Sequence, residues 1–227
     1  MSRCAVDSLP FPIGMQEPLI CVDNNDMVVC QVNKERAHRV ESARLHRAFS
    51  LLIFDASGER MLVQKRAQSK RLFPGVWANA CCSHPHFRHS ELDPECGVFL
   101  AAERKAEQEL GVSRDAVEGM HKVARIRYRA ACDEEFEEWE LDHILVLQVD
   151  NLVTNPNPEE VEEVKWVTVE ELQAMRPSRK QKLFGGECIS PWLEAMCKLE
   201  DGLFAWWESI RAGGIPEEST DIHVAQQ

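Results

Sequence analysis

Arg104-Lys105-Ala106-Glu107-Gln108-Glu109-Leu110-Gly111-Val112 is the stretch on which the architecture turns. It closes an amphipathic run that begins at Gly97, in which Val98, Ala102, Ala106 and Leu110 recur at the spacing of one helix face. Gly111 stands where helices commonly end in a left-handed residue. The pattern predicts a helix over 97–110. Lys105 and Glu109 are four apart and share one face of it. Taken alone, they make an ordinary surface ion pair.

Upstream, Asn79-Ala80-Cys81-Cys82-Ser83-His84-Pro85-His86 gathers two thiols, a hydroxyl and two imidazoles. The apolar lead-in from Leu72 to Trp77 puts this cluster at a strand end. Three chemistries fit it. Cys82 is a reactive thiol beside a metal-bound His84, or the thiols and imidazoles form a structural zinc knuckle, or the group is inert packing, since free cysteine is among the most buried residue types. Lys65-Arg66-Ala67-Gln68-Ser69-Lys70-Arg71 carries four cations in seven residues. In so acidic a chain that run is a solvated edge or an anion pocket. Its nearness to the thiols and imidazoles favours the pocket.

Strand signals surround this centre. Leu19–Val22 and Met27–Cys30 flank Asp23-Asn24-Asn25-Asp26, residues that tolerate turn dihedrals, which predicts a hairpin. Arg47–Asp55 and Met61–Gln64 flank Ala56-Ser57-Gly58 and predict a second. Val123–Ala130 alternates with a period of two and pairs with Glu137–Leu147 as a third. In that return strand Glu138, Glu140 and Asp142 point to one side. Lined-up carboxylates need a cation, a shared proton or a solvated edge. The polar stretch from Asn33 to His46, with His38 and His46, reads as a solvated loop. Val161–Val167 is a further strand, and Thr168 with Glu171 is a capping box opening a short helix to Met175. A loop over 176–189 follows. Ser190-Pro191 starts a helix whose apolar stripe runs through Trp192, Met196, Leu199, Leu203, Trp207 and Ile210. The order predicts an α+β layer fold, a mixed sheet sandwiched between helices.

The 227 residues suit one domain over 18–211, with an N-terminal arm over 1–17 and a polar tail over 212–227. A hydrophobic share of 44% with 28% charged residues is that of a soluble globular protein. A net charge of −12 argues against a nucleic-acid partner. No apolar run approaches the ~20 residues of a membrane span. The N-terminus lacks a basic-then-apolar leader, and Val224-Ala225-Gln226-Gln227 matches no simple peroxisomal or retention signal. Nine irregularly spaced cysteines then read as thiols in a reducing compartment, the cytoplasm.

The 104–112 segment resembles the second half of a Nudix box, a loop-helix-loop that binds magnesium and diphosphate. The box's upstream glycine falls on Ser90, its upstream glutamate on Cys96, and its paired glutamates are reduced to Gln108-Glu109. Fewer carboxylates hold fewer metal ions, which argues against the alternative of a Nudix diphosphohydrolase. Several further motifs occur in order: Leu45-His46-Arg47-Ala48-Phe49-Ser50; Lys70-Arg71-Leu72-Phe73-Pro74-Gly75-Val76-Trp77 leading to Cys81-Cys82-Ser83-His84-Pro85; Glu109-Leu110-Gly111; Tyr128-Arg129-Ala130; Glu138-Trp139-Glu140; and Ser190-Pro191-Trp192. With them the chain resembles the type I isopentenyl-diphosphate isomerases, Nudix relatives that move a double bond instead of cutting a phosphoanhydride.

That resemblance implies interconversion of isopentenyl and dimethylallyl diphosphate by protonation and deprotonation across an allylic unit, a step of isoprenoid biosynthesis. It implies Cys82 and Glu140 as the catalytic pair. It implies His38, His46, His84, Glu138 and Glu140 as ligands of one divalent cation, for which magnesium, manganese or zinc is suited. Glu109 matches the ligand of a second ion, a magnesium that bridges to the diphosphate. Lys34, Arg66, Lys70 and Ser83 match diphosphate contacts, with Lys105 adding charge. Tyr128 and Trp192 match the pocket around the isoprenoid tail. The expected partner is a small isoprenoid diphosphate, the expected state a monomer, and the family adds the peroxisome to the cytoplasm as a compartment.

Overall fold

The computed structural model describes residues 15–176 and 188–225. Most of the predicted arm (1–14) and the Gly185-Gly186 part of the predicted loop lie outside the described residues.

Strand β3 (His46–Asp55) organises the sheet, and all of it but Asp55 is buried. Its near-continuous apolar run from Phe49 to Phe54 suits a strand covered on both faces. β8 (Glu137–Val149) lies parallel along one edge, with His46 opposite Glu140 and Asp55 opposite Val149. Three strands share the other edge in turn. β1 (Pro18–Val22) meets it at His46, β6 (Cys81–Ser83) at Phe49–Leu51 and β4 (Met61–Arg66) at Ile53–Phe54. β1 forms the expected hairpin with β2 (Val28–Asn33), and β7 (His121–Ala131) the expected hairpin with β8. β4 also pairs with β5 (Trp77–Asn79) and with β9 (Val161–Val167).

Four expectations need correction. The second hairpin holds for only two residue pairs, because β4 turns away to β5 and β9 and leaves the rest of that edge of β3 to β6 and β1. The polar stretch after Asn33 is not all loop. The Asn33 side chain accepts the Arg36 N–H and caps α1 (Lys34–His38), which buries Ala37 and His38. The long C-terminal stripe is two helices, α4 (Pro191–Lys198) and α5 (Leu203–Arg211), which follow α2 (Gly97–Leu110) and α3 (Val169–Met175). The chain bends at Gly202, where a Cβ would stand 2.3 Å from the Met196 carbonyl oxygen. Finally, neither end stands wholly apart. Met15 is buried, and β10 (Ile222–Val224) extends the sheet parallel to β7.

α2 covers one face of the sheet. Val98, Ala102, Ala106 and Leu110 pack there on Phe49, Leu51, Ile53 and Cys81. α4 and α5 cover the other, where Trp192, Met196 and Trp207 pack on Leu52, Phe54, Tyr128 and Ile144. Gly111 closes α2 at φ +65°, and a side chain there would also meet the Asn155 carbonyl oxygen at 2.2 Å.

A buried charge network ties the β1–β2 turn to the sheet. Arg47 is fully buried; its Nε donates to Asp26 Oδ1 at 2.7 Å and its Nη1 to the Leu92 carbonyl at 2.9 Å. His143 Nε2 meets the other Asp26 oxygen at 2.9 Å. Removing one partner of a buried pair strands the other charge in low dielectric, at about 3–5 kcal/mol. Arg47→Met should therefore lower the melting temperature by roughly 6–20 °C for a domain of this size. A thermal melt unchanged within a degree or two would refute this.

Candidate active site

Sheet pleat decides which side chains meet. Residues two apart share a face, so His46 and Ser50 of β3, Glu138, Glu140 and Asp142 of β8, and Tyr128 of β7 all turn away from α2. Tyr128 is paired across the ladder with Glu140, and Cys82 with Ser50. α1 brings His38 to the same side, and His84 follows directly after β6. One cavity of about 960 Å³ opens there. Cys82, Ser83, His84, Tyr128, Glu138, Glu140 and Trp192 line it, together with Lys34, Arg66, Lys70, Lys105 and Glu109.

His38, His46, His84 and Glu140 are all buried and place one possible ligand atom each within 4.8 Å of one another. The ring centroids lie 4.6–5.1 Å apart. His38 Nδ1 lies 2.6 Å from the Lys34 carbonyl, and His46 Nδ1 lies 2.7 Å from that of Arg44. A carbonyl only accepts, so these two nitrogens carry a hydrogen, and that contact fixes each ring with its Nε2 away from the carbonyl. Both Nε2 atoms, and Nδ1 of His84, are buried without a hydrogen-bond partner. Burial, with His46 and His84 alongside, pushes His38 well below the usual histidine range and keeps it neutral. Burial also brings His84 down to about 4 against the pull of Glu140, whose carboxylate lies 2.7 Å from its Nε2. Three buried imidazoles around an ionised carboxylate are a donor set for a divalent cation. Of the expected ligands, Glu138 lies beside this group rather than within it.

The aligned carboxylates are reconciled by a shared proton. The Tyr128 hydroxyl reaches Glu138 at 2.8 Å and lies closer still to Glu140. A phenol has one hydrogen to give and cannot serve two carboxylates as donor. Burial, then the charge of Glu140, pushes Glu138 up to about 8, so it holds a proton at neutral pH. Burial opposes the ionisation of Glu140, but His46 and His84 outweigh it and hold the group well below the carboxylate range. Asp142 is driven upward by burial and by Glu140, and takes the Ser50 hydroxyl at 2.8 Å.

Neighbouring thiols part company. Cys81 is fully buried toward α2, with its sulfur 3.8 Å from Glu109 Oε2, while Cys82 opens on the cavity. Because adjacent strand residues face opposite ways, a zinc knuckle using both thiols is not formed. Among the described residues no cysteine joins the histidine group. Desolvation in the cavity raises the Cys82 thiol well above the usual range, although Arg66, with Nη1 at 3.9 Å from the sulfur, works against this. Trp192 is fixed by its Nε1–H to Asn79 Oδ1 at 2.9 Å and lies edge-to-face with Phe73, while the Arg66 guanidinium sits 5.5 Å from its ring centre.

The cavity's other wall is cationic. Glu109 accepts from Lys105 at 3.1 Å and from Gln64 at 3.1 Å, with Lys70 at 3.9 Å. Burial alone would raise its pKa; Lys105, then Lys70 and Gln64, hold it at about 2. Lys34 is paired with Glu17 at 3.1 Å. Two groups here had no sequence signal. Glu17 lies in the predicted arm, and Glu160 sits in the plain polar run Asn155-Pro156-Asn157-Pro158-Glu159-Glu160, yet both line the cavity.

Residues 44–185 match the NUDIX domain, so fold and site define a Nudix protein. DR0079 of Deinococcus radiodurans shares that fold at a TM-score of 0.55 and 22% identity, over 78% of this chain and 96% of its own. Isopentenyl-diphosphate Delta-isomerase 1 of Cannabis sativa is 36% identical over 93% of this chain and 75% of its own. Isopentenyl-diphosphate Delta-isomerase I of Camptotheca acuminata is 36% identical over 93% of this chain and 92% of its own. Isopentenyl-diphosphate Delta-isomerase 1 of Bos taurus is 35% identical over 92% of both. Within the Nudix class, the chain belongs to the isopentenyl-diphosphate Delta-isomerase family.

Proposed function

We propose that this protein interconverts isopentenyl and dimethylallyl diphosphate by a 1,3-allylic proton shift. The observation that carries the reading is a single cavity lined by the Cys82 thiol and the Glu140 carboxylate, next to a wall of lysines and arginine. The reaction adds one proton to the terminal alkene carbon and removes another two carbons away. One proton donor and one acceptor on the same allylic unit supply both halves, and reversal exchanges their parts. An alkene is a poor base, so the intervening tertiary cation has to be met by negative charge or π-density in a dry site. Glu140 supplies the first and the Trp192 indole the second, at about 2 kcal/mol or more when desolvated.

Lys34, Arg66, Lys70, Ser83 and Lys105 are proposed to hold the diphosphate. That binding energy is remote from the reacting carbons and positions them. Tyr128, hydrogen-bonded to Glu138 and Glu140, holds the carboxyl groups in place. His38, His46, His84 and Glu140 would hold a divalent cation, magnesium, manganese or zinc, with Glu138 beside them; Glu109 would take a magnesium shared with the diphosphate. Such ions supply positive charge that makes nearby O–H groups more acidic and neutralises phosphate oxygens. A monomer in a reducing compartment, the cytoplasm, is part of the reading. The free thiols among the described residues support that compartment, and none of the described helices is long and apolar enough to cross a membrane. Gln108 in place of a box glutamate weighs against the hydrolase alternative.

The test is the metal-supplemented protein with isopentenyl diphosphate in deuterated water, followed by NMR. Deuterium should enter a methyl group of dimethylallyl diphosphate. Phosphate release without isomerisation, or no turnover, would overturn the reading.

A further inference from the structure

We infer that Glu160 is the resident anion of the lysine wall, a carboxylate that an incoming diphosphate must displace and that thereby sets substrate affinity. The inference rests on the proposed diphosphate role of Lys70 and Lys105. Glu160 contacts the Lys70 ammonium directly, takes the Gln108 amide at 3.1 Å and lies 4.0 Å from Lys105. Lys105 and Lys70 also flank Glu109, at 3.1 and 3.9 Å. Two cations are thus shared by two carboxylates, and the two differ in how free they are to leave. Glu109 is 2% exposed on a helix and bonded to Gln64, whereas the Glu160 side chain is 19% exposed.

The Glu160 backbone is pinned. Its N–H bonds to the Asn157 carbonyl and its own carbonyl accepts the Ala67 N–H, both at 3.0 Å. Only the side chain has to swing for Lys70 to change partners. In a chain of net charge −12, an internal carboxylate on the substrate's lysine spares the empty site from concentrated positive charge. By linkage, whatever Glu160 contributes to the empty protein is subtracted from the affinity for the anion that replaces it.

The experiment measures binding of inorganic pyrophosphate with magnesium to the full chain by calorimetry, with thermal melts of the free proteins. Glu160→Gln should bind about tenfold tighter, ~1.4 kcal/mol, while the free variant melts lower than wild type. Glu159→Gln, which removes a neighbouring exposed charge, should change affinity less than about twofold, because screening weakens charges that make no contact. Glu160→Asp keeps the charge but draws it back from Lys70. It should show a smaller gain in the same direction, and it serves if the glutamine variant does not fold. Equal gains from the Glu159 and Glu160 variants, or unchanged or weaker binding in Glu160→Gln, would overturn the proposal. Wild type that turns over isopentenyl diphosphate while Glu160→Gln shows no gain overturns this inference alone. Wild type that neither binds pyrophosphate nor turns over overturns the underlying function with it.

Discussion

Cys82→Ala should lower kcat by roughly 10²- to 10⁴-fold, the usual contribution of a positioned proton-transfer group. The thiol faces the cavity and is not among the atoms gathered around the histidines. Bound divalent metal, counted after desalting, should therefore match wild type. The side chain is only partly enclosed, so the loss of stability should stay at about 1 kcal/mol or less. Activity within tenfold of wild type would remove Cys82 from the chemistry. A drop in metal content would mean that the thiol belongs to the histidine site after all.

Glu140→Gln should also cost roughly 10²- to 10⁴-fold in kcat, and unlike the thiol variant it should empty the histidine site. Glu140 is the one carboxylate inside the buried group and the contact that brings His84 and His46 to a shared centre, at 2.7 and 3.7 Å. An amide presents no negative charge to a cation, so metal affinity should fall by at least roughly 10-fold. Glu138→Gln is the informative companion. Glu138 already holds a proton at neutral pH, and an amide mimics that protonated form at the Tyr128 hydroxyl. It should lose less activity and less metal than Glu140→Gln. Equal metal loss in both would return Glu138 to the ligand set that the family resemblance implied.

Much of the fold was legible locally. The α2 stripe and Gly111, the Asp23–Asp26 turn, the Thr168–Glu171 capping box and the Ser190-Pro191 start each carry their geometry in a few residues. The misread second hairpin has its cause in competition between distant partners. Met61–Gln64 looks like the return of a hairpin because its turn is adjacent, but β3 has only one free edge, and β6 and β1 fill most of it. The C-terminal stripe keeps helical spacing across Gly202, yet the backbone turns extended at Leu199, which ends α4, and re-enters a helix only after Gly202.

By itself the sequence determined which faces the candidate site residues take along each strand. Alternation along a strand is a property of the backbone, so Cys82 had to oppose Cys81, and Glu138, Glu140 and Asp142 had to align. Only the tertiary structure decided which of them meet. His38, His46, His84 and Glu140 are separated along the chain by as many as 102 residues (140 − 38) and converge because β3 pairs with both β6 and β8. The same convergence buries the carboxylates together, and that burial leaves one of them ionised and its neighbour protonated. Proton affinity in such a cluster depends on desolvation and mutual charge, which no stretch of chain possesses until the others are packed against it.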